Sequence, residues 1–378
     1  MLTNPTVTVD LGKIRDNTRA VVEQLSGIEV VGVVKATSGS PEVGAAMLAA
    51  GAVALGESRL ENIKRLRDGG LTAPIWLLRA PVPALADEAV RYTDVSLQSE
   101  LEIVVALEQA AARQRRRHGI VAMVDLGDLR EGMMPVDLPA FVAAVERLDH
   151  IELLGIGGNL TCYGEIIPDD ENLGRLAELA AATERQIGRR LRYVSGGNSS
   201  SIAMVVSGRM PPAINTLRIG ETILLGVETI HREPAMDLYL DAITLAAPVI
   251  ECKRKPSLPT GTSGQDAFGN RSTFVDRGDR RRAICALGRQ DVSPEGLRPV
   301  DPRIQVLGAS SDHLILDVED LDDCLSPGQI VQFIPNYAAT LQLFTSSYVD
   351  KVYAESQGAA PTSVRPEHLR QPDFQSEE

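Results

Sequence analysis

Lys35 ends an apolar run, EVVGVVKA over residues 29–36, and is the side chain of this sequence best placed to do chemistry. At the end of a buried strand, low-dielectric walls disfavour an ammonium and favour the neutral amine, the nucleophile that condenses with a carbonyl. Taken alone, the same residue reads more readily as a lysine that snorkels to water. Other polar residues also follow apolar runs: Asp125, Asp128 and Arg130 in VDLGDLREG, Asn159 in NLTCYG, the segment SGGNSSS, and Arg218 with Gly220 in TLRIGET. In SGGNSSS, paired glycines permit close backbone approach, and Asn198, Ser199, Ser200 and the free N–H groups of a helix start can hold a phosphate without using a charge. Arg218 and Gly220 add a further phosphate nest.

These residues need a scaffold that brings the ends of distant strands together. A short first strand and a helix capped by Asp10 are followed by apolar runs at 30–34, 52–55, 75–78, 94–97, 120–124, 153–156, 192–194 and 214–217, separated by helical stretches such as 58–67 and 98–117. Roughly eight strand-helix units within ~200 to 250 residues are what a closed (β/α)8 TIM-type barrel uses, and such barrels carry their chemistry at the C-terminal ends of the strands. The rival, an open doubly wound sheet, often carries a GxGxxG turn, which is missing here. The basic run 113–118 reads as a solvated helix end, favourable for the macrodipole. Beyond residue 237 helices give way to short alternating strands and Gly/Pro clusters, a β-rich domain. The expected organisation is therefore an α/β barrel over 10–236, a β-rich domain over 237–355, and a polar, disordered tail over 356–378.

Composition narrows the partners. With 378 residues, 44% hydrophobic and 24% charged, the chain matches a soluble enzyme of more than one core. A net charge of −13 argues against nucleic acid and anionic membrane, both polyanions. The start of the sequence lacks the pattern of a signal peptide, and no run reaches the ~20 apolar residues of a membrane span, so a cytoplasmic location is expected. Cys162, Cys252, Cys285 and Cys324 show no metal-type spacing and are expected as free thiols, Cys162 among them as a packed one.

A lysine for an imine, a neutral phosphate cradle and an arginine at one barrel rim are together the parts that pyridoxal phosphate requires. The segments VVKA, VDLGDLREG, GGNSSS, TLRIGET, GRQDV, GASSDHLILDV and NYAATLQLFTSSYV, in this order from Thr6 to Tyr353, resemble the alanine racemase fold-type family, and within it the ornithine racemase branch. The resemblance implies a barrel holding pyridoxal phosphate, residues 1–9 forming a strand that joins the C-terminal β-domain, and a head-to-tail homodimer with shared active sites. It casts Lys35 as the Schiff-base lysine, Arg218 as the partner of the pyridine nitrogen, Ser199 and Tyr337 as phosphate ligands, and Arg130 as a neighbour of the cofactor and the substrate carboxylate. A guanidinium keeps its proton, so the ring nitrogen stays unprotonated, the ring is a weaker electron sink, and rapid proton return is favoured over transamination.

The family's catalytic tyrosine is replaced here by Arg289, and its supporting histidine by Asn159. Arginine is a poor general base, so Arg289, Asp291 and Ser311 are carried as candidate catalytic residues beside Lys35, with Asp312, His313 and Cys162 as further possibilities and Lys35 acting on both faces as the remaining one. Arg130, Asp291 and Asp312, with Glu131, are the candidate substrate contacts, the acids suiting a distal ammonium. The expected reaction is racemisation of an amino acid of ornithine or lysine type. Racemisation of a neutral amino acid, a metal-assisted lyase of the D-threonine aldolase or D-serine dehydratase type, and a non-catalytic pyridoxal phosphate carrier are the alternatives; no metal ligands are expected.

Overall fold

The computed structural model describes residues 2–271 and 273–356. Eight parallel strands close a barrel in sequence order: β2 (Glu29–Val33), β3 (Ala54–Glu57), β4 (Ile75–Leu77), β5 (Val95–Gln98), β6 (His118–Met123), β7 (Ile151–Gly157), β8 (Tyr193–Ser195) and β9 (Thr216–Ile219), with β9 pairing back to β2. All eight fall on the apolar runs read from the sequence, because strands covered on both faces carry apolar side chains continuously. The helices between them are α2 (Pro41–Ala49), α3 (Leu60–Asp68), α4 (Ala86–Tyr92), α5 (Leu101–Gln114), α6 (Leu138–Val145), α7 (Asp170–Ile187) and α8 (Ile202–Val206), with α9 (Glu221–Leu225) after the last strand. The barrel interior is packed, not hollow: Trp76 and Tyr193 meet edge to face at 4.7 Å beside Val31, Leu97, Val121 and Met123.

Before the barrel come β1 (Thr6–Asp10) and α1 (Leu11–Gln24), whose N-cap Asp10 accepts from the Lys13 backbone N–H at 3.1 Å. The C-terminal part is an antiparallel sheet built from β10 (Ile243–Pro256), β11 (Asp279–Cys285), β12 (Leu297–Pro299), β13 (Gln305–Ala309), β14 (Leu314–Asp317) and β15 (Ile330–Pro335). The helix α10 (Tyr337–Thr345) and the strand β16 (Asp350–Ala354) complete it. Strand β1 pairs antiparallel with β10 and parallel with β16, so the first strand belongs to this sheet and not to the barrel. Of the tail 356–378, everything from residue 357 lies outside the described residues.

One expectation is corrected. The four cysteines are not all free thiols: Cys252 on β10 and Cys324, in the loop before β15, form a disulfide with a Cα–Cα distance of 6.3 Å. The two are 72 residues apart, and only the return of the chain along the sheet brings them together. Cys285 is buried on β11, where burial pushes its thiol up to about 12. Among the described residues no helix is long and apolar enough to cross a membrane.

Candidate active site

The C-terminal mouth of the barrel opens into a cavity of about 690 Å³. Lys35 lies just beyond β2, at the first position of a 3-10 turn spanning Lys35–Thr37, rather than inside the strand. Its Nζ is 5.9 Å from the ring centroid of Tyr337, the first residue of α10, so the sheet supplies one wall of the barrel's cavity within the same chain. Burial pushes the Tyr337 hydroxyl up, and the Lys35 ammonium opposes that shift.

Arg218, on β9, is 4% exposed and has neutral partners alone. Nη2 donates to the Gly158 carbonyl at 2.9 Å and to Asn159 Oδ1 at 3.0 Å, and Nη1 donates to the Ser195 hydroxyl. Burial lowers its pKa to about 10, which still leaves it charged at neutral pH. Beside it, Asn198 caps the 3-10 turn Ser199–Ser201, its Oδ1 accepting from the Ser200 N–H at 2.8 Å. Ser199 Oγ faces the Thr222 N–H at 3.4 Å, whereas Ser200 Oγ is buried without a partner. A Cβ at Gly220 would stand 3.0 Å from both Cβ and O of Val33, so glycine keeps this edge of the mouth open.

The loop after β6 carries the acids and the arginine of VDLGDLREG. Asp125 Oδ1 accepts from the Gly127 and Leu129 N–H groups, which folds the loop on itself. Asp128, buried, accepts from the N–H groups of Cys162 and Tyr163 and clips this loop to the one after β7. Arg130 lines the cavity with its guanidinium forked onto Glu131. Cys162 is exposed at the cavity rim, which corrects the expectation of a packed thiol: Thr161 adopts φ 56°, a conformation that β-branched residues rarely take, and the turn lifts the next side chain outward.

The structure thus gathers Lys35, Arg130, Asn159, Asn198, Ser199, Arg218, Gly220 and Tyr337 around one space, with Ser200 buried directly behind. Four sequence candidates lie elsewhere. Arg289 forks onto Glu295 and sits over the Phe268 ring, and Asp291 accepts from the Ser346 hydroxyl at 2.7 Å and the Gly288 N–H at 3.3 Å. Ser311 accepts on its carbonyl from the Gln290 N–H, and Asp312 from the Gln290 side chain at 3.1 Å. These residues form two facing turns of the C-terminal sheet and do not line the cavity of their own chain. His313 is in the same turns, its Nδ1 3.4 Å from the Ser310 hydroxyl.

The cavity also holds polar residues that the sequence did not single out, Glu221 and Arg232 among them; two others, Arg79 and Gln98, follow apolar runs as Lys35 does. Arg79, just after β4, has no acidic partner among the described residues. Gln98 ends β5; its Nε2 donates to Ser96 Oγ at 2.9 Å, and Ser96 pairs with His118 Nε2 at 2.8 Å, leaving Gln98 Oε1 buried and unpartnered. Among the described residues no group of three or more His, Cys, Asp or Glu is placed to hold a metal ion.

A closed barrel with its functional groups on one rim, fused to an antiparallel sheet, is an architecture shared by alanine racemases and by the D-threonine aldolase of Filomicrobium marinum. The family model "Alanine racemase, N-terminal domain" matches residues 9–227, and the chain belongs to the alanine racemase family. It is 40% identical over 350 residues to the ornithine racemase of Acetoanaerobium sticklandii, covering 92% of this chain and 99% of that one. It is also 40% identical over 357 residues to the lysine racemase of Thermotoga maritima, covering 93% and 99%. Two solved structures share the fold. The alanine racemase from D-cycloserine-producing Streptomyces lavendulae superposes with TM-score 0.73 at 20% identity, over 94% of this chain and 98% of that one. An alanine racemase from Bartonella henselae with covalently bound pyridoxal phosphate gives 0.70 at 17%, over 93% and 100%.

Proposed function

We propose that the protein is a pyridoxal-phosphate-dependent amino-acid racemase acting on diamino acids of the ornithine or lysine type. The observation that carries this reading is the pairing, in one cavity, of Lys35 with a buried arginine, Arg218, that has no carboxylate partner among the described residues. The residues suit the cofactor. A phosphate can be held by neutral donors, and Asn198, Ser199 and Gly220, with the Ser200 hydroxyl behind them, supply such donors.

When bound, pyridoxal phosphate supplies a carbonyl for the lysine and a conjugated ring that withdraws electrons from the substrate α-carbon. Lys35 would hold the cofactor, then, released by substrate, take the α-proton on its amine and return it. Arg218 would face the ring nitrogen and keep it unprotonated, which limits the lifetime of negative charge at the α-carbon. Tyr337 would help to fix the phosphate. Arg130, already engaged by Glu131, would orient rather than neutralise, while Arg79, without an acidic partner among the described residues, would receive the substrate carboxylate. The 40% identity to relatives named ornithine racemase and lysine racemase supports the diamino-acid side chain.

A head-to-tail homodimer belongs to the same proposal. It would give the turns carrying Arg289, Asp291, Ser311 and Asp312 a cavity to complete, the partner's. It would also cover the apolar side chains exposed on the two rim loops: Leu129, Met134, Val136, Tyr163, Ile166 and Ile167. Light scattering on the purified protein tests it. A cytoplasmic location is also proposed; the Cys252–Cys324 bond weighs against it, since such bonds persist in oxidising compartments, and thiol trapping in intact cells decides.

The reaction is tested by incubating the enzyme with L-ornithine or L-lysine and resolving the products by chiral chromatography. D-product is expected, and its absence with both would discard the diamino-acid reading. Lys35→Ala should abolish turnover and the visible absorbance of the lysine-bound cofactor together.

A further inference from the structure

One ion pair in the cavity has no part in the reading above: Glu221, the residue after Gly220 at the phosphate edge, and Arg232. The Glu221 side chain is 9% exposed and the Arg232 side chain 55%. Burial pushes the Glu221 carboxyl up; Arg232 and, at longer range, Lys35 oppose that shift, while Glu228 adds to it. Tyr337 also lies within electrostatic reach of Glu221. An acid thus stands beside the neutral donors that have to receive a phosphate, and two anions at one edge repel unless a cation is held with them.

Arg232 is delivered by a hairpin, 226–235, that is tied at its base and along its length. The Ala235 N–H donates to the Gly226 carbonyl at 3.0 Å, and Val227 pairs antiparallel with Pro234. Further along, the Glu228 carboxylate accepts from the N–H groups of Ile230 and His231, each at 2.6 Å, and of Glu233 at 3.2 Å. Arg232 itself has φ 62°, a left-handed conformation that costs a non-glycine residue and that these bonds hold in place. Thr222 joins the hairpin to the phosphate edge: its hydroxyl donates to the Val227 carbonyl at 2.8 Å, and its N–H faces Ser199 Oγ at 3.4 Å. The ion pair and the candidate phosphate serine therefore belong to one bonded unit.

We propose that Arg232 is a positioning residue for the cofactor's phosphate and acts through Glu221, whose charge it cancels at the edge where the phosphate sits; this rests on the pyridoxal phosphate reading above. The guanidinium donates to Glu221 Oε1, so its influence on the phosphate is carried by the acid it neutralises. Without it, Glu221 either keeps its charge and repels the phosphate or takes up a proton at a cost, and both weaken binding. The effect is confined to ligands that carry the phosphate.

Full-length protein is titrated with pyridoxal phosphate and with pyridoxal, which lacks the phosphate, and the visible absorbance of the lysine-bound form gives each dissociation constant. Arg232→Gln should weaken pyridoxal phosphate by about ten- to a hundredfold and leave pyridoxal within about threefold of wild type. The double variant Glu221→Gln, Arg232→Gln, which removes both charges, should return to within about threefold of wild type for pyridoxal phosphate. Arg232→Lys keeps a cation and should bind pyridoxal phosphate more tightly than Arg232→Gln. Equal loss for both ligands makes the pair a structural tie and overturns the proposal. So does an Arg232→Gln that binds pyridoxal phosphate like wild type, or a double variant as weak as the single one. Wild-type protein that forms no lysine-bound species with either ligand overturns the pyridoxal phosphate reading, and this role with it.

Discussion

The guanidinium of Arg218 donates to Asn159 Oδ1 at 3.0 Å, and this contact orients two sides of the cavity at once. Toward the barrel axis it leaves the arginine satisfied by neutral acceptors; toward the rim it turns the Asn159 amide nitrogen onto Cys162. An amide does not titrate, so this contact keeps its direction across the pH range.

Arg218→Ala should therefore do more than weaken the cofactor site. It removes the donor to the Gly158 carbonyl, while Asn159 Oδ1 keeps the Asn198 amide at 3.3 Å, a cost of about 1–3 kcal/mol. A lowered melting temperature and a fall in racemisation of about 10²-fold or more are expected. Differential scanning calorimetry and the chiral assay read the two effects separately.

Arg79→Gln removes a cavity guanidinium that has no acidic partner among the described residues, so little folding energy is at stake. If it receives the substrate carboxylate, the loss of a charge-assisted bond of about 1.5–3 kcal/mol raises KM by roughly ten- to a hundredfold, with kcat much less affected. Arg79→Lys should recover part of the loss. Unchanged steady-state kinetics in Arg79→Gln would remove it from the substrate site.

His118 gives the fold a pH dependence. Burial lowers its pKa from 6.5 to about 4, and its Nε2 pairs with Ser96 in the uncharged form. The unfolded chain takes up this proton near pH 6.5 and the folded chain only near pH 4, so the contribution is whole above 6.5 and is lost as the pH falls toward 4. The loss is on the order of 3 kcal/mol. Urea unfolding at pH 7 and pH 4.5 should show it in the wild type, and His118→Gln should flatten that part of the slope.

The Cys252–Cys324 bond closes a loop with a sequence separation of 72. Alkylation of denatured, unreduced protein should label two cysteines, Cys162 and Cys285, and reduction should expose all four. By chain entropy the closure is worth about 4 kcal/mol, so the double variant Cys252→Ser, Cys324→Ser should melt lower with its barrel chemistry intact. Four labelled cysteines before reduction would show that the bond does not form in solution.

The barrel was legible because each of its strands overlaps a short, mainly apolar run, a pattern that doubly covered parallel strands favour and that survives in the sequence as one-dimensional information. The strand-end rule led from there to Lys35, Asn159, Ser199 and Arg218. It applied equally to Arg79 and Gln98, which went unnoticed because neither residue type advertises a reaction. Tyr337 came only through family resemblance, since nothing in NYAATLQLF says that its helix lies over Lys35. The disulfide was invisible because its partners meet through sheet register, which spacing does not encode. Arg289, Asp291, Ser311 and Asp312 share a surface of the sheet, and no local pattern says toward which cavity that surface looks.

The first strand is bound into the sheet while the helix that follows it packs against the barrel, and Tyr337 closes the circuit by leaning back over the barrel mouth. The two layers are sewn together at both extremities, so the segment 10–236 expressed alone would lose a wall of its cavity and the edge that anchors its start. Melting of the intact chain is accordingly expected as one cooperative event rather than as the successive loss of a barrel and a sheet.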